Sequence, residues 1–227
     1  LEFFFFGMDK TLLILFIGLV LGIKHAFEAD HLVAVSTMVS QHKHPLKAAL
    51  VGTFWGIGHT LTLFVAGIFV LLFKFQITQQ LSAVFEKSVG IMIILLGLFN
   101  LFKRQNDELH SHTHSHDGNK HEHVHVHSSS KKLHSHHKSF LVGIIHGLDG
   151  SGALMLLVLS TIHSTSQGLF YVLIFGIGSI IGMSAISMIL GIPILYGSKK
   201  IPNLERYLQL LTGVIGVLFG GFLLLHT

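Results

Sequence analysis

The sequence predicts an all-α integral membrane protein whose six transmembrane helices form two inverted-topology three-helix repeats. Three observations carry this. Half of the 227 residues are apolar and only 11% are charged, against about a quarter charged in a soluble domain, and the mean hydropathy is +0.67. The few charges cluster between long uncharged stretches. Finally, motifs of the first half recur in the second at a nearly constant offset. A soluble enzyme, a nucleic-acid-binding domain and a disordered chain are excluded by this composition. The net charge of +4 does not point to nucleic acid, because the basic residues lie between hydrophobic segments. With no Cys, disulfides, thiol relays and thiolate metal sites are also excluded.

Residues 1–7 read as an expression scar ahead of a start at Met8. The predicted spans are 11–39, 47–73, 81–102, 139–162, 167–195 and 203–225, each meeting the ~20 residues that a bilayer requires. The first, second and fifth are longer, which predicts tilt, a kink or a protruding end. Gly18/Gly22, Gly52/Gly56, Gly143/Gly147, Gly178/Gly182 and Gly216/Gly220 are each four apart, a spacing that lets helices approach closely.

Lys and Arg set the expected orientation. Connections after the first, third and fifth spans carry eleven of them, while the other side has Lys10, Lys74 and Lys87. The richer side is therefore assigned to the cytoplasm, with both termini outside a plasma membrane. The repeat is visible in residues 22–28 against 143–149 (offset 121), Trp55–His59 against Phe175–Ser179 (offset 120), and Gly90 and Gly97 against Gly213 and Gly220 (offset 123). A unit of three spans must enter the membrane the opposite way the second time. The expected domains are thus 8–102 and 139–227, an arrangement that places a transport site at the repeat interface.

The first span contains Lys24, His25, Glu28, Asp30 and His31. A single Lys or Asp at the bilayer centre costs ~2.5–3.5 kcal/mol, so this group must face a polar interior or a bound ion. On a regular helix His25, Glu28 and His31 share one drifting face, whereas Asp30 lies about 140° from His25. Either the helix is distorted, or Asp30 works with a neighbouring span or with a partner behind the ligands. His146 and Asp149 in the fourth span are again three apart, and His59 in the second joins them through the repeat. Its counterpart, Ser179, is no strong ligand. Imidazoles with carboxylates suit Ni, Co, Zn or Fe(II), and the absence of Cys argues against Cu(I).

Segment 103–138 carries eleven His among Ser, Lys and acids. Nothing there can form a core, so it is expected to be a disordered cytoplasmic loop acting as a weak chelator of transition metals.

The stretch Lys24-His25-Ala-Phe-Glu-Ala-Asp30-His31 resembles the His-x4-Asp-His signature of the nickel/cobalt transporter family (NiCoT/NicO). Gly58-His59-Thr60 and Gly147-Leu148-Asp149 resemble two of its later motifs. Six spans, with the signature in the first, look like the shorter branch associated with urease maturation. The resemblance implies uptake of Ni(II) or Co(II), with His25, Asp30 and His31 essential. Glu28 stands where the family usually has Asp. A related branch exports the same metals and also carries a His-rich loop.

No phosphate-binding Gly-x4-Gly-Lys-Ser/Thr motif is present, so the expectation is a secondary transporter rather than an ATPase or other enzyme. Its expected partners are the divalent ion, the bilayer and a cytoplasmic metallochaperone or urease-maturation factor. It needs no resident cofactor. The rivals are efflux of the same metals and, in another class, an intramembrane hydrolase built on Ser151 with His146 and Asp149. A zinc permease lacks support, because the paired His-Asn/Ser-Pro-Asp motifs are absent.

Overall fold

The computed structural model describes residues 10–42, 44–74, 78–103, 111–116, 119–124, 132–147, 164–198 and 200–227. Helix α1 (Lys10–His25) and helix α2 (Ala29–Val39) occupy the first predicted span. They are bent by 57° at the break between them. Helix α3 (Pro45–Phe73) starts with Pro at its first positions, where the missing N–H is harmless. Before it, His44 accepts a bond from the Leu46 amide. It stops at Lys74, which is left-handed at φ 51°. Helix α4 (Gln79–Phe102) is capped by Thr78, whose hydroxyl accepts from the Leu81 amide at 3.3 Å.

Helices α5 (Lys132–His146), α6 (Thr165–Gly197) and α7 (Leu204–His226) complete the helical set among the described residues. Four helices, α3, α4, α6 and α7, are long and apolar enough to cross a membrane, and the bent pair α1–α2 makes a fifth if taken as one span. The chain is thus a multi-pass membrane protein. Of the predicted fourth span, α5 begins earlier, at Lys132, and the residues after Gly147 lie outside the described set. On α3, Leu50, Ile57, Leu61, Phe69 and Leu72 are all exposed. Such a stripe on an apolar helix is what lipid would cover.

Part of the His-rich segment departs from the expected lack of structure. Strand β1 (Ser111–His116) pairs antiparallel with strand β2 (Asn119–Val124), with Ser111 opposite Val124 and His116 opposite Asn119. Two strands alone are marginally stable in water, so backbone pairing here does not amount to a folded domain.

Glycines set the helix crossings. A Cβ on Gly22 of α1 would strike the Phe175 carbonyl of α6, and one on Gly178 would strike the Leu19 carbonyl. Between α3 and α5 the same occurs: Gly143 meets the Trp55 carbonyl and Gly58 the Phe140 carbonyl. Each contact in the first pair maps onto one in the second by the 120–121 offset. The Gly182–Ala26 approach at 2.7 Å likewise corresponds to Gly147–Thr62 at 2.8 Å. Where α3 crosses α6, Gly56 lies on Ile180 and Gly176 on Thr60, again equivalent positions. Gly97 with Gly213 and Gly90 with Gly220 bring α4 and α7 together, and the 123 offset maps one contact onto the other. Small residues at these crossings allow backbone-to-backbone approach where lipid offers no hydrophobic drive.

Two apolar clusters form the interior. One contains Val35, Val51, Trp55, Met183 and Ile186, and the other Leu63, Tyr171, Val172 and Phe175.

Candidate metal centre

The break between α1 and α2 brings the candidate ligands together. His25 ends α1, residues 26–28 form a turn, and Asp30 and His31 begin α2. Glu28 is extended there (ψ 152°), so its carbonyl still accepts from the Leu32 amide while its side chain makes no cap bond. The amino end of α2 carries the positive end of a helix dipole, which favours Asp30 in its first turn. Discontinuous helices of this kind bring unpaired helix ends to ion sites within membranes. The regular-helix expectation, with Asp30 about 140° from His25, is therefore corrected: the bend swings Asp30 and His31 into the interior together, and both are buried.

His25, His31 and His59 present ring nitrogens all within 4.8 Å of one another, and so do the donor atoms of Asp30, His31 and His146. His31 belongs to both triads. His25 Nε2 is 3.0 Å from His59 Nε2, near the spacing of two neighbouring ligands on a metal with bonds of about 2.1 Å. His146 Nε2 is 2.7 Å from Asp30 Oδ2. His31 Nδ1 lies 3.0 Å from the same oxygen but off the hydrogen-bonding direction, so both its nitrogens lack a hydrogen-bond partner.

Glu28 stands behind the first triad, its carboxylate 3.2 Å from His25 Nδ1. The sequence reading makes Glu28 a ligand, and this position also suits a group that orients one. His59 Nδ1 and His146 Nδ1 are, like both nitrogens of His31, buried without partners. Each such orphan costs about 1–3 kcal/mol, which an ion would relieve only at the nitrogen it binds.

Of the sequence-predicted residues, His25, Asp30, His31, His59 and His146 converge, and Glu28 flanks them. Lys24 does not join them. It is exposed, against the expectation that the whole charged group faces inward, because its long stem lets the ammonium reach away from the bundle. Asp149, and Ser151 of the hydrolase alternative, lie outside the described residues. His146 Nε2 is engaged by Asp30. Ser179 is buried and its hydroxyl donates to the Phe175 carbonyl of its own helix at 3.0 Å, in keeping with a non-ligand.

The candidate-site reading of the sequence missed Trp55, whose ring lies 5.3 Å from those of both His31 and His146. The signal was present, since Trp55 is the one Trp of the chain and sits one helical turn before His59.

Comparisons with known proteins agree with a membrane protein of this type. Residues 33–222 match the family model described as cytochrome C biogenesis protein transmembrane region. The urease accessory protein UreH of Bacillus sp. (strain TB-90) is 40% identical over 226 residues, covering 94% of this chain and 92% of that protein. The chloroplast protein FOR GROWTH AND FERTILITY 2 of Arabidopsis thaliana is 22% identical over 89% of this chain. Its companion FOR GROWTH AND FERTILITY 1 is 21% identical over the same share. The chain spans about half the length of these two plant relatives (54% and 56%). No solved structure matches. On the extent of the first two matches, the chain belongs to the cytochrome C biogenesis transmembrane-region family and groups with the UreH-type urease accessory proteins.

Proposed function

We propose that the chain is a secondary transporter that carries Ni(II) or Co(II) inward across the plasma membrane. The observation that supports it most is the pair of buried donor triads sharing His31 at a broken helix. Three buried imidazoles beside a carboxylate–imidazole group suit a late first-row divalent ion, and the His-x4-Asp-His motif and the urease accessory relative fit nickel handling. In this reading the ion exchanges its waters for His25, His31 and His59, and then for Asp30 and His146. Asp149, three residues after His146 in the sequence, is taken as a further ligand. Glu28 holds the His25 ring.

The same proposal includes six spans in two inverted repeats, 8–102 and 139–227. It is supported by the crossings that recur at the 120–123 offset. The Lys/Arg bias supports a cytoplasmic segment 103–138, whose His residues would receive the ion and pass it to a metallochaperone or urease-maturation factor. An inside-negative potential favours entry of a divalent cation by ~4.6 kcal/mol per 100 mV, at ~2.3 for each charge. No nucleotide hydrolysis is required for this.

The test is accumulation of radioactive nickel in cells expressing the chain, its Asp30→Asn variant or an empty vector. Retention above vector by the wild type alone is expected. Retention below vector would replace import with efflux, and no difference would remove nickel transport from the reading.

A further inference from the structure

We infer that Phe175 and Trp55 are the two gates of an occluded transport site, each closing one face of it. The inference rests on the inverted-repeat reading above and goes beyond it to the residues that separate the site from either side.

Trp55 and Phe175 are equivalent positions, 120 residues apart, and their carbonyls meet the equivalent glycines Gly143 and Gly22. Both side chains are 1% exposed. Phe175 lies 5.5 Å from the His25 ring, on the three-imidazole triad. Trp55 lies against His31 and His146, on the carboxylate triad. The two aromatics therefore flank different ends of the donor set.

The helices that carry them run antiparallel. Gly52 packs on Met183, Gly56 on Ile180, Gly176 on Thr60 and Gly67 on Val172, so positions rise along α3 as they fall along α6. Trp55 precedes His59 by one turn of α3, and Phe175 precedes Ser179 by one turn of α6. In antiparallel helices these steps lead in opposite directions from the level of the site. Each aromatic also anchors its own apolar cluster: Trp55 with Val51 and Met183, Phe175 with Leu63 and Tyr171. The donors are sealed between two plugs, and alternating access requires each to open in turn.

The two gates differ in one respect. The Trp55 indole N–H is buried without a partner, whereas Phe175 has no polar atom to strand.

The chain has no Cys, so a single introduced thiol reports on access. Ser179→Cys places it at the level of the site on a residue that is buried and is not a donor. A charged, membrane-impermeant methanethiosulfonate is applied to right-side-out and inside-out vesicles, with full labelling after denaturation as the measure of protein present. Ser179→Cys alone is expected to label slowly from both sides. Adding Phe175→Ala should speed labelling from one side, and adding Trp55→Ala from the opposite side. Each rise should be about tenfold or more, as a ~1.4 kcal/mol shift in the closed–open balance would give. Phe175→Leu and Trp55→Phe, which keep an apolar plug, should label as slowly as Ser179→Cys alone. If either Ala variant fails to reach the membrane, Phe175→Val or Trp55→Val takes its place.

Acceleration from the same side by both truncations, or from neither side, overturns the gates. The readout does not involve metal. Opposite-sided labelling without nickel accumulation would keep the gates and discard the cargo, and nickel accumulation without sided labelling would do the reverse.

Discussion

His146 Nε2 lies 2.7 Å from Asp30 Oδ2, a bond between residues 116 positions apart that ties α5 to the start of α2. Both groups are buried, so neither can exchange its partner for water without opening the bundle. A carboxylate in such a place serves as ligand or as the anchor of one. Asp30→Asn keeps the shape and removes the charge. The expected outcome is loss of nickel transport, with the purified protein retaining its helical circular dichroism and a monodisperse elution profile.

Glu28 should behave differently. It is half-buried and touches the site through His25 Nδ1 at 3.2 Å. A group that orients a ligand typically contributes 10–100-fold to metal affinity. Glu28→Gln is therefore expected to weaken nickel binding by roughly that factor in calorimetric titration without abolishing it. Equal loss in Glu28→Gln and Asp30→Asn would make Glu28 a direct ligand.

Glycine substitutions should read out the equivalence of the two crossings. A Cβ on Gly22 strikes the Phe175 carbonyl and one on Gly143 the Trp55 carbonyl, whereas a Cβ on Gly221 meets nothing within 4 Å. Backbone atoms cannot rotate away as a side chain can. Gly22→Ala and Gly143→Ala should each destabilise the fold by about 1–3 kcal/mol, and Gly221→Ala should be neutral or slightly stabilising. Thermal unfolding in detergent distinguishes them. A neutral Gly143→Ala beside a damaging Gly22→Ala would break the equivalence.

These particulars show what was legible in the sequence and why. Ionisable residues in an apolar stretch are expensive, so their presence alone pointed to the donors that the structure brings together, and the recurring glycines pointed to the crossings. The bend between His25 and Ala29 was not legible as such. No Pro or Gly marks it, and helical periodicity could offer only distortion, a neighbouring span or a partner behind the ligands as ways to use Asp30. The first two occur, because the bond to His146 is made across the bundle and the helix breaks to allow it. Trp55 was read for its place in the repeat, since a lone aromatic on an apolar helix has no local sign that its ring faces imidazoles. The backbone pairing of 111–116 with 119–124 was hidden by a composition that cannot bury apolar surface.

A polar clamp at the carboxyl end of α4 was equally silent. Asn100, fully buried, donates to the Thr37 carbonyl at 2.8 Å, to Ser40 at 3.1 Å and to Thr212 at 3.3 Å, and accepts from Gln41 at 2.7 Å. Arg206 of α7 donates to the carbonyls of Asn100, Leu101 and Lys103, which the helix end leaves without intrahelical partners. Asn100→Leu should destabilise by about 1–3 kcal/mol through the stranded partners. Arg206→Lys should recover little of what Arg206→Ala loses, because one ammonium cannot reproduce the planar fork. Melting temperatures of the three variants check this, and full recovery by Arg206→Lys would reduce the contact to charge alone.

The last expectation concerns pH. His42, in the connection between α2 and α3, is held below its ordinary value near 6.5, first by burial and then by Lys103, Lys47 and His136 around it. A depressed value means that the folded chain takes up this proton less readily than the unfolded chain. The contribution is therefore fully present above the unfolded value and is lost as pH falls through the folded one. Wild-type protein should melt lower at about pH 5.5 than at about pH 7.5, and His42→Gln should narrow that difference by removing one of the groups responsible. The comparison isolates His42, since every other imidazole is common to both proteins. An unchanged difference in the variant would mean that the cations around His42 do not disfavour its protonation in the folded state.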